Sequence, residues 1–161
     1  MRTINTVLVP TDFSDSSSEA LDYARGVAAA LGASLRLLHV IENPFVYGMY
    51  GELSTGLPPD YLDSLDKAAQ ARLDGLLTPE EKDRFRAEFA TRIGIPAREI
   101  LDDAASHPDV GLIIMATAGR GGVARFVMGS VADKIVRGAP CPVMTVHPQH
   151  HGDTRGSTLA A

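Results

Sequence analysis

The 161-residue sequence is poor in several features, and each shortage excludes a class of protein. A single cysteine, Cys141, excludes a disulfide framework and a zinc site built from several cysteines. The longest uninterrupted apolar runs, such as Leu112 to Ala116, fall far short of the roughly 20 residues in a membrane-spanning helix. No apolar leader follows Met1. We therefore expect a cytoplasmic protein with no membrane partner.

Basic residues are also in the minority. Fifteen lysines and arginines against 20 aspartates and glutamates give a net charge of −5, so we expect no nucleic-acid partner. Hydrophobic residues make up 45% of the sequence, an ordinary share for a chain with a buried core. The length suits one domain, which we place at residues 1–147. Residues 148–161 are polar and patternless, and we expect a disordered tail there.

Short aliphatic runs alternate with helical patterns along the chain. Strands are predicted over residues 4–10, 34–41, 85–93, 110–116 and 142–146, with helices between them. This order predicts an α/β fold with a five-stranded, parallel, doubly wound, flavodoxin-like sheet of strand order 3-2-1-4-5. Ligands of such sheets bind beyond the carboxyl ends of the strands where the winding reverses. Here that place lies beside the first and fourth strands.

Helix boundaries are marked by typical capping residues. Ser16 and Glu19 have the spacing of a capping box for the first helix, and Gly32 suits its C-terminal cap. Thr78 followed by Pro79 predicts the start of a short helix that leads into the third strand. The long segment 42–59 is irregular, and its aromatic residues are either a lid or a packing patch.

A glycine-rich segment follows the fourth strand and carries the clearest chemical signal. The glycines within the stretch 119–122 allow a backbone to approach a ligand. Ser130 stands where a helix begins, and such a position attracts phosphate. Arg120 and Arg125 add positive charge. The spacing matches neither a Walker A loop nor a dinucleotide fingerprint. A plain glycine-rich crossover with a serine cap remains the alternative interpretation.

Several motifs together resemble the universal stress protein family over residues 3–147. They are Val7 to Asp12, Leu37 to Val40, Gly94 to Pro96, Met115 to Arg120, Gly129 to Val131 and Ala139 to Val143. The resemblance extends to the nucleotide-binding branch, whose pattern is G-x2-G-x9-G-[ST]. Gly119, Gly129 and Ser130 match this pattern, whereas Ala116 replaces its first glycine. The fold implied is the adenine-nucleotide-hydrolase-like variant of the flavodoxin-like sheet.

The resemblance also implies roles for individual residues. The adenine and ribose would lie against Pro10, Thr11, Asp12, Val40, Met115 and Ala116. The phosphates would be held by Gly119, Gly129, Ser130 and Val131, with Arg120 nearby, and Gly129 is expected to have a positive φ. The implied ligand is ATP or AMP, and Mg²⁺ would accompany ATP. Alanine adds one methyl group at position 116, so we expect weakened rather than abolished binding.

Three functions remain open at this point. The first is a stress-response regulatory module that binds ATP or AMP, and the second is a slow ATPase. The third is a dimeric scaffold that binds no nucleotide. No catalytic base with an orienting partner is evident, and His39 fits a core residue better than a base. Asp12 is either a helix cap or a ribose or metal contact. We expect no catalytic residues, no resident metal site and an unknown protein partner.

The last predicted strand suggests an oligomeric state. Residues 142–146 are predicted to form an edge of the sheet, and they carry Val143, Met144 and Val146 without a lysine. An apolar edge of this kind invites pairing with another chain, and a two-fold axis closes the contact. The family resemblance implies the same strand. We therefore expect a homodimer joined antiparallel across residues 142–146.

Overall fold

The computed structural model of the chain describes residues 3–42, 60–117 and 128–147. The strands are β1 (Thr6–Pro10), β2 (Ser34–Glu42), β3 (Glu88–Gly94), β4 (Val110–Ala116) and β5 (Val143–Val146). The helices are α1 (Asp15–Leu31), α2 (Tyr61–Asp74), α3 (Pro79–Arg84), α4 (Pro96–Ser106) and α5 (Ser130–Gly138). The predicted features at 43–59, at 119–122 and in the tail 148–161 lie outside the described residues.

All strand pairs are parallel, and the sheet order is β3-β2-β1-β4-β5. This order confirms the predicted fold class. The chain winds in one direction from β1 to β3 and in the other from β1 through β4 to β5. The winding therefore reverses between β1 and β4, and the carboxyl ends of these two strands flank the predicted ligand position.

Helices cover both faces of the sheet, which explains why the central strands are apolar at almost every position. A first core cluster lies under α1 and α2 and includes Val7, Val9, Leu35, Leu37, Leu112 and Ile114. A second core cluster lies under α4 and α5 and includes Leu8, Leu38, Ile113, Met115, Ile100 and Ile135. Within the described parts of the chain, no helix is long and apolar enough to cross a membrane.

Two of the three predicted helix caps are confirmed. Gly32 ends α1 with a left-handed φ of 64°, and Thr78 forms a capping box with Glu81 at the start of α3. The predicted capping box of Ser16 and Glu19 is wrong. Helix α1 starts earlier, because the Ser14 side chain accepts a hydrogen bond from the Ser17 amide and caps the helix.

Strand β3 begins at Glu88, three residues later than predicted. Phe85 instead caps α3, with its ring buried, and Arg86 adopts a positive φ of 44° as the chain turns toward the strand. The Arg86 guanidinium donates to Ser34 Oγ and to the Gly32 carbonyl, and these bonds stabilise the turn. The alternating residues from 85 onward therefore span a helix cap and a turn before the strand.

Gly111 interrupts the pairing of β1 with β4. Thr6 pairs with Val110, yet Val7 pairs with Leu112, so β4 carries one extra residue. A Cβ atom at Gly111 would lie 2.6 Å from the Cα of Ile4, which is closer than such atoms approach. The glycine is therefore required at this bulge because the neighbouring backbone passes too close for a side chain.

Candidate functional site

The carboxyl ends of β1 and β4 are held by different neighbours. The paired register of these two strands extends to Leu8 and Ile113. Beyond it, Pro10 pairs with Leu38 of β2, and the Thr11 amide donates to the Leu38 carbonyl at 2.9 Å. On the other side, Ala116 pairs with Val146 of β5. The two strand ends therefore border the crevice expected at the winding reversal.

Hydrogen bonds within the chain fix the backbone that leaves β1. Thr11 is buried, and its hydroxyl lies 3.0 Å from the hydroxyl of Ser17. The Thr11 hydroxyl also accepts a hydrogen bond from the Phe13 amide. One carboxylate oxygen of Asp12 accepts from both the amide and the hydroxyl of Ser14, at 3.0 and 2.5 Å. Asp12 is thus not the helix cap itself. It fixes the turn that presents the capping residue Ser14, while a ribose or metal contact stays a prediction.

Thr117 connects the end of β4 with two other elements. It is 3% exposed, and its amide donates to the Val146 carbonyl at 3.0 Å. Its carbonyl accepts from the Gly129 amide at 2.7 Å, and its hydroxyl lies 3.1 Å from His147 Nδ1. The start of α5 is therefore joined to the end of β4, at the border of the crevice.

Gly129 caps α5 without a side chain. Its φ of −59° and ψ of 152° are accessible to any residue, so the predicted positive φ is wrong. The hydrogen bond from the Asp133 amide to the Gly129 carbonyl begins the bonding of the helix. The amides of Ser130, Val131 and Ala132 come before this bond, so they have no acceptor within the helix. First-turn amides of this kind, together with the helix dipole, favour an anion.

Apolar side chains from three elements flank the same region. Met115 belongs to the second core cluster, and Val40 and Val131 are partly buried against it. Ala116 is partly buried against the first core cluster, on the opposite face of the sheet. The structure thus brings Val40, Met115 and Val131 to one cluster. Gly119, Arg120 and Arg125 lie outside the described residues.

Comparison with known proteins identifies the family. The model of the Universal stress protein family matches residues 3–147. This chain belongs to the universal stress protein family.

Relatives and solved structures agree with this assignment. A universal stress protein of Methanocaldococcus jannaschii is 32% identical over 141 residues, covering 87% of this chain and 80% of that protein. The structure of a universal stress protein in complex with cAMP is 27% identical, with a TM-score of 0.59, and covers 92% of this chain and all of that one. The universal stress protein UspA from Lactobacillus plantarum shares the fold, with 24% identity, a TM-score of 0.68 and coverage of 91% and 99%.

In this universal stress protein, His39 has a structural environment. Its Nδ1 lies 2.8 Å from the Thr11 carbonyl, which can only accept, so Nδ1 is the donor. The His39 ring lies 4.4 Å from the ring of Phe13. These contacts agree with a structural role for the half-buried His39. Among the described residues, no three His, Cys, Asp or Glu side chains are grouped as a metal site.

The residue that sequence reasoning missed here is Phe13. It follows Asp12, adopts a positive φ of 62° and packs under the guanidinium of Arg72, whose central carbon lies 4.0 Å from the ring centroid. A phenylalanine within the polar run 11–18 was a signal, since a large apolar residue there needs a packing partner. The left-handed backbone itself left no trace in the residue type, because glycine and asparagine are the usual choices.

Proposed function

We propose that this universal stress protein is a cytoplasmic, dimeric regulatory module that binds ATP or AMP at the crevice between β1 and β4. The observation that carries the proposal is the 2.7 Å hydrogen bond from the Gly129 amide to the Thr117 carbonyl. This bond joins the start of α5 to the end of β4, so an anion-binding helix terminus borders the crevice. A 27% identical universal stress protein, crystallised with cAMP, supports an adenine nucleotide as ligand.

The proposed ligand is oriented by the two kinds of surface at the crevice. Adenine and ribose lie toward Pro10, Thr11, Asp12, Val40, Met115 and Ala116, where strand ends offer apolar side chains and backbone groups. The phosphates lie toward Gly129, Ser130 and Val131 at the start of α5. Gly119 and Arg120 complete the phosphate side in this proposal, and Mg²⁺ accompanies ATP. The first-turn amides of α5 suit the negative charge of phosphate.

Ala116 sets the expected affinity. It stands at the carboxyl end of β4, directly before Thr117, where the family's nucleotide-binding pattern has glycine. The added methyl group takes space beside the proposed ribose position, so binding is weaker than with glycine but retained. A measurement of ATP affinity therefore decides whether the chain belongs to the nucleotide-binding branch of the family.

Thermal unfolding with and without Mg-ATP tests the proposal. At 100 times the dissociation constant, ATP adds about 2.7 kcal/mol to the free energy of unfolding. For a domain of this size the melting temperature rises by roughly 5–10 °C. GTP is expected to raise it less, since the proposed adenine position is shaped by Val40 and Met115. An unchanged melting temperature at millimolar ATP overturns the proposal and favours the scaffold.

Analysis of the nucleotide released on denaturation separates the remaining candidates. Recovery of intact ATP after incubation supports the binding module. Conversion of the supplied ATP to ADP or AMP favours the slow ATPase. The control is the rate of conversion by the Gly129→Val variant, purified in the same way. Recovery of no nucleotide agrees with the scaffold.

A further inference from the structure

Phe13 has a backbone conformation that its residue type disfavours. Its φ of 62° lies in the left-handed region, where a bulky aromatic residue is a genuine outlier. Such conformations persist only where surrounding contacts hold them, and they cluster at functional sites. Phe13 is the residue next to Asp12 in the proposed nucleotide site. The contacts that hold it therefore bear on that site.

Two side chains from other elements enclose the Phe13 ring. The His39 ring of β2 lies 4.4 Å away, centroid to centroid, with an interplanar angle of 37°. The Arg72 guanidinium of α2 lies over the ring, its central carbon 4.0 Å from the centroid, a distance typical of a cation–π contact. Phe13 is thus held between β2 and α2, although it belongs to the connection between β1 and α1.

His39 also holds the other side of Asp12. Its Nδ1 donates to the carbonyl of Thr11 at 2.8 Å, while its ring packs against Phe13. The Phe13 amide in turn donates to Thr11 Oγ1 at 3.0 Å. The residues immediately before and after Asp12 are therefore fixed by the same histidine and by each other.

A purely local role in helix α1 does not account for the ring position. Phe13 precedes the capping residue Ser14, and an apolar residue there often packs on the fourth residue of the helix. That residue is Ser18, which is exposed and polar. The ring packs instead between His39 and Arg72 and against the first core cluster.

We propose that Phe13, held by His39 and Arg72, is a positioning residue that fixes Asp12 and the Thr11 backbone for the nucleoside part of the ligand. The inference rests on the proposed nucleotide-binding function. The left-handed turn at Phe13 directs the chain from the end of β1 into α1, and the clamp of two side chains prevents its relaxation. A ligand that binds beside Asp12 then meets a preformed loop, which lowers the entropy cost of binding.

The first experiment measures dissociation constants of adenosine and ATP by calorimetry at a temperature where all variants are folded. Phe13→Gly, which suits a positive φ but lacks the ring, should weaken both ligands by about tenfold. The factor should be equal for the two, since the clamp acts on the nucleoside part. Phe13→Tyr, which keeps the ring, should restore binding to within about twofold. Wild-type affinity in folded Phe13→Gly overturns the proposal.

The matched control is a second arginine–aromatic pair. Arg84 lies over Phe85, 5.3 Å from its centroid, in α3. Arg72→Met should weaken ligand binding by about threefold or more, whereas Arg84→Met should leave it unchanged. Equal effects of the two variants would contradict a specific clamp.

Amide hydrogen exchange in the free protein separates failure of this inference from failure of the nucleotide proposal. The Ser14 amide donates to Asp12 Oδ1, so its exchange rate reports the order of the Asp12 loop. Phe13→Gly should raise that rate by about tenfold, and Arg84→Met should not. If the wild-type protein binds neither ligand, the nucleotide proposal fails. An unchanged Ser14 rate in Phe13→Gly overturns the clamp, whatever the ligand measurements give.

Discussion

Arg36 and Asp103 form a two-point ion pair in the interior, between β2 and α4. Arg36 Nε lies 2.8 Å from one carboxylate oxygen of Asp103, and Nη2 lies 2.9 Å from the other. The side chains are 9% and 0% exposed. Arg92 of β3 also donates to Asp103, and Glu88 accepts from Arg36. The carboxylate of Asp103 therefore joins two strands of the sheet to the helix that covers them.

Replacement of Asp103 should strongly destabilise the protein. Asp103→Asn keeps the shape but leaves the buried Arg36 guanidinium without its opposing charge. We expect a loss of about 3–5 kcal/mol in the free energy of unfolding, measured by denaturant titration. Asp102→Asn is the control, because the Asp102 side chain is 66% exposed and its ion pair with Arg98 is long, at 3.6 Å. Equal losses in the two variants would contradict the role of the buried pair.

The same pair predicts a dependence of stability on pH. Burial alone would raise the pKa of Asp103, but the hydrogen bonds and positive charge of Arg36 outweigh it and hold the pKa below its usual value. The stabilisation is therefore complete above the unfolded-state pKa of about 4 and is lost as the pH falls through the lower folded-state pKa. Acid titration of wild type should show a steeper loss of stability below about pH 4 than Asp103→Asn. Parallel curves would contradict this linkage.

Two serines near the start of α1 should differ in their contribution to stability. Ser14→Ala removes the cap of the Ser17 amide and the hydrogen bond to Asp12, so we expect a loss of about 1–2 kcal/mol. Ser16→Ala should cost less than about 0.5 kcal/mol, since Ser16 is already inside the helix. Thermal unfolding of both variants makes the comparison. A larger loss for Ser16→Ala would restore the capping box expected from sequence.

Substitutions at Ala116 and Gly129 should change nucleotide affinity in opposite directions. Ala116→Gly removes the methyl group beside the proposed ribose position, and we expect about tenfold tighter ATP binding. Gly129→Val should abolish the thermal shift by filling the proposed phosphate position. Because the φ of Gly129 is −59°, this variant carries no backbone strain and should fold. Unchanged affinity in Ala116→Gly would remove position 116 from the site.

Gly129→Ser provides a finer version of this test. Serine is a better N-cap than glycine, so the free protein should gain about 0.3 kcal/mol in unfolding free energy. The added side chain should nevertheless weaken ATP binding. A serine variant that gains stability and keeps wild-type affinity would show that the ligand does not approach Gly129.

Disruption of the β5 edge should convert a dimer into a monomer. Ile113 N donates to Pro142 O and Thr117 N to Val146 O, so even-numbered residues of β5 bond to β4. The amides of Val143 and Thr145 therefore face the open edge. Thr145→Pro removes an outward donor without breaking the ladder to β4, and Val143→Lys places a charge in the proposed seam. Light scattering should give monomer mass for both variants and twice that mass for wild type.

The exposed apolar residues agree with this choice of interface. Met144 of β5 is 38% exposed, and Val136 of the neighbouring helix α5 is 46% exposed. Both apolar side chains lie near the β5 edge of the sheet. Met144→Pro is the control, since it removes a backbone donor that faces β4. This variant should break the hydrogen bonds between β5 and β4 and unfold β5, rather than only separate the two chains of a dimer. A wild-type protein that is monomeric at tens of micromolar would overturn the dimer.

The sequence predicted the sheet because its central strands are apolar on both faces and some of its helix ends carry typical capping residues. Thr78 with Pro79, and Gly32, carry local signals that tertiary contacts did not override. The predicted start of β3 is wrong, because Arg86 adopts a positive φ in a turn whose hydrogen-bond partners, Ser34 and Gly32, are distant in sequence. Periodicity carries no information on such contacts.

The candidate site was predictable only in part, for the same reason. Glycine and serine spacing located the end of β4 and the start of α5, although Gly129 has a φ of −59° that any residue can adopt. The interior ion pair of Arg36 could not be predicted either, because its partner Asp103 lies 67 positions later in the sequence. A lone arginine within the apolar strand β2 was a signal that some buried acid must oppose it, although the sequence does not tell which.

The extra residue at Gly111 determines which way the crevice end of β4 faces. Val110, before the bulge, packs in the second core cluster, and Leu112, after it, in the first. Side chains alternate along a regular strand, so a β4 of the same length without the bulge would exchange the sides on which Met115 and Ala116 point. A deletion at position 111 would instead remove the bulge and leave both residues on their present sides, because Leu112 would then directly follow Val110.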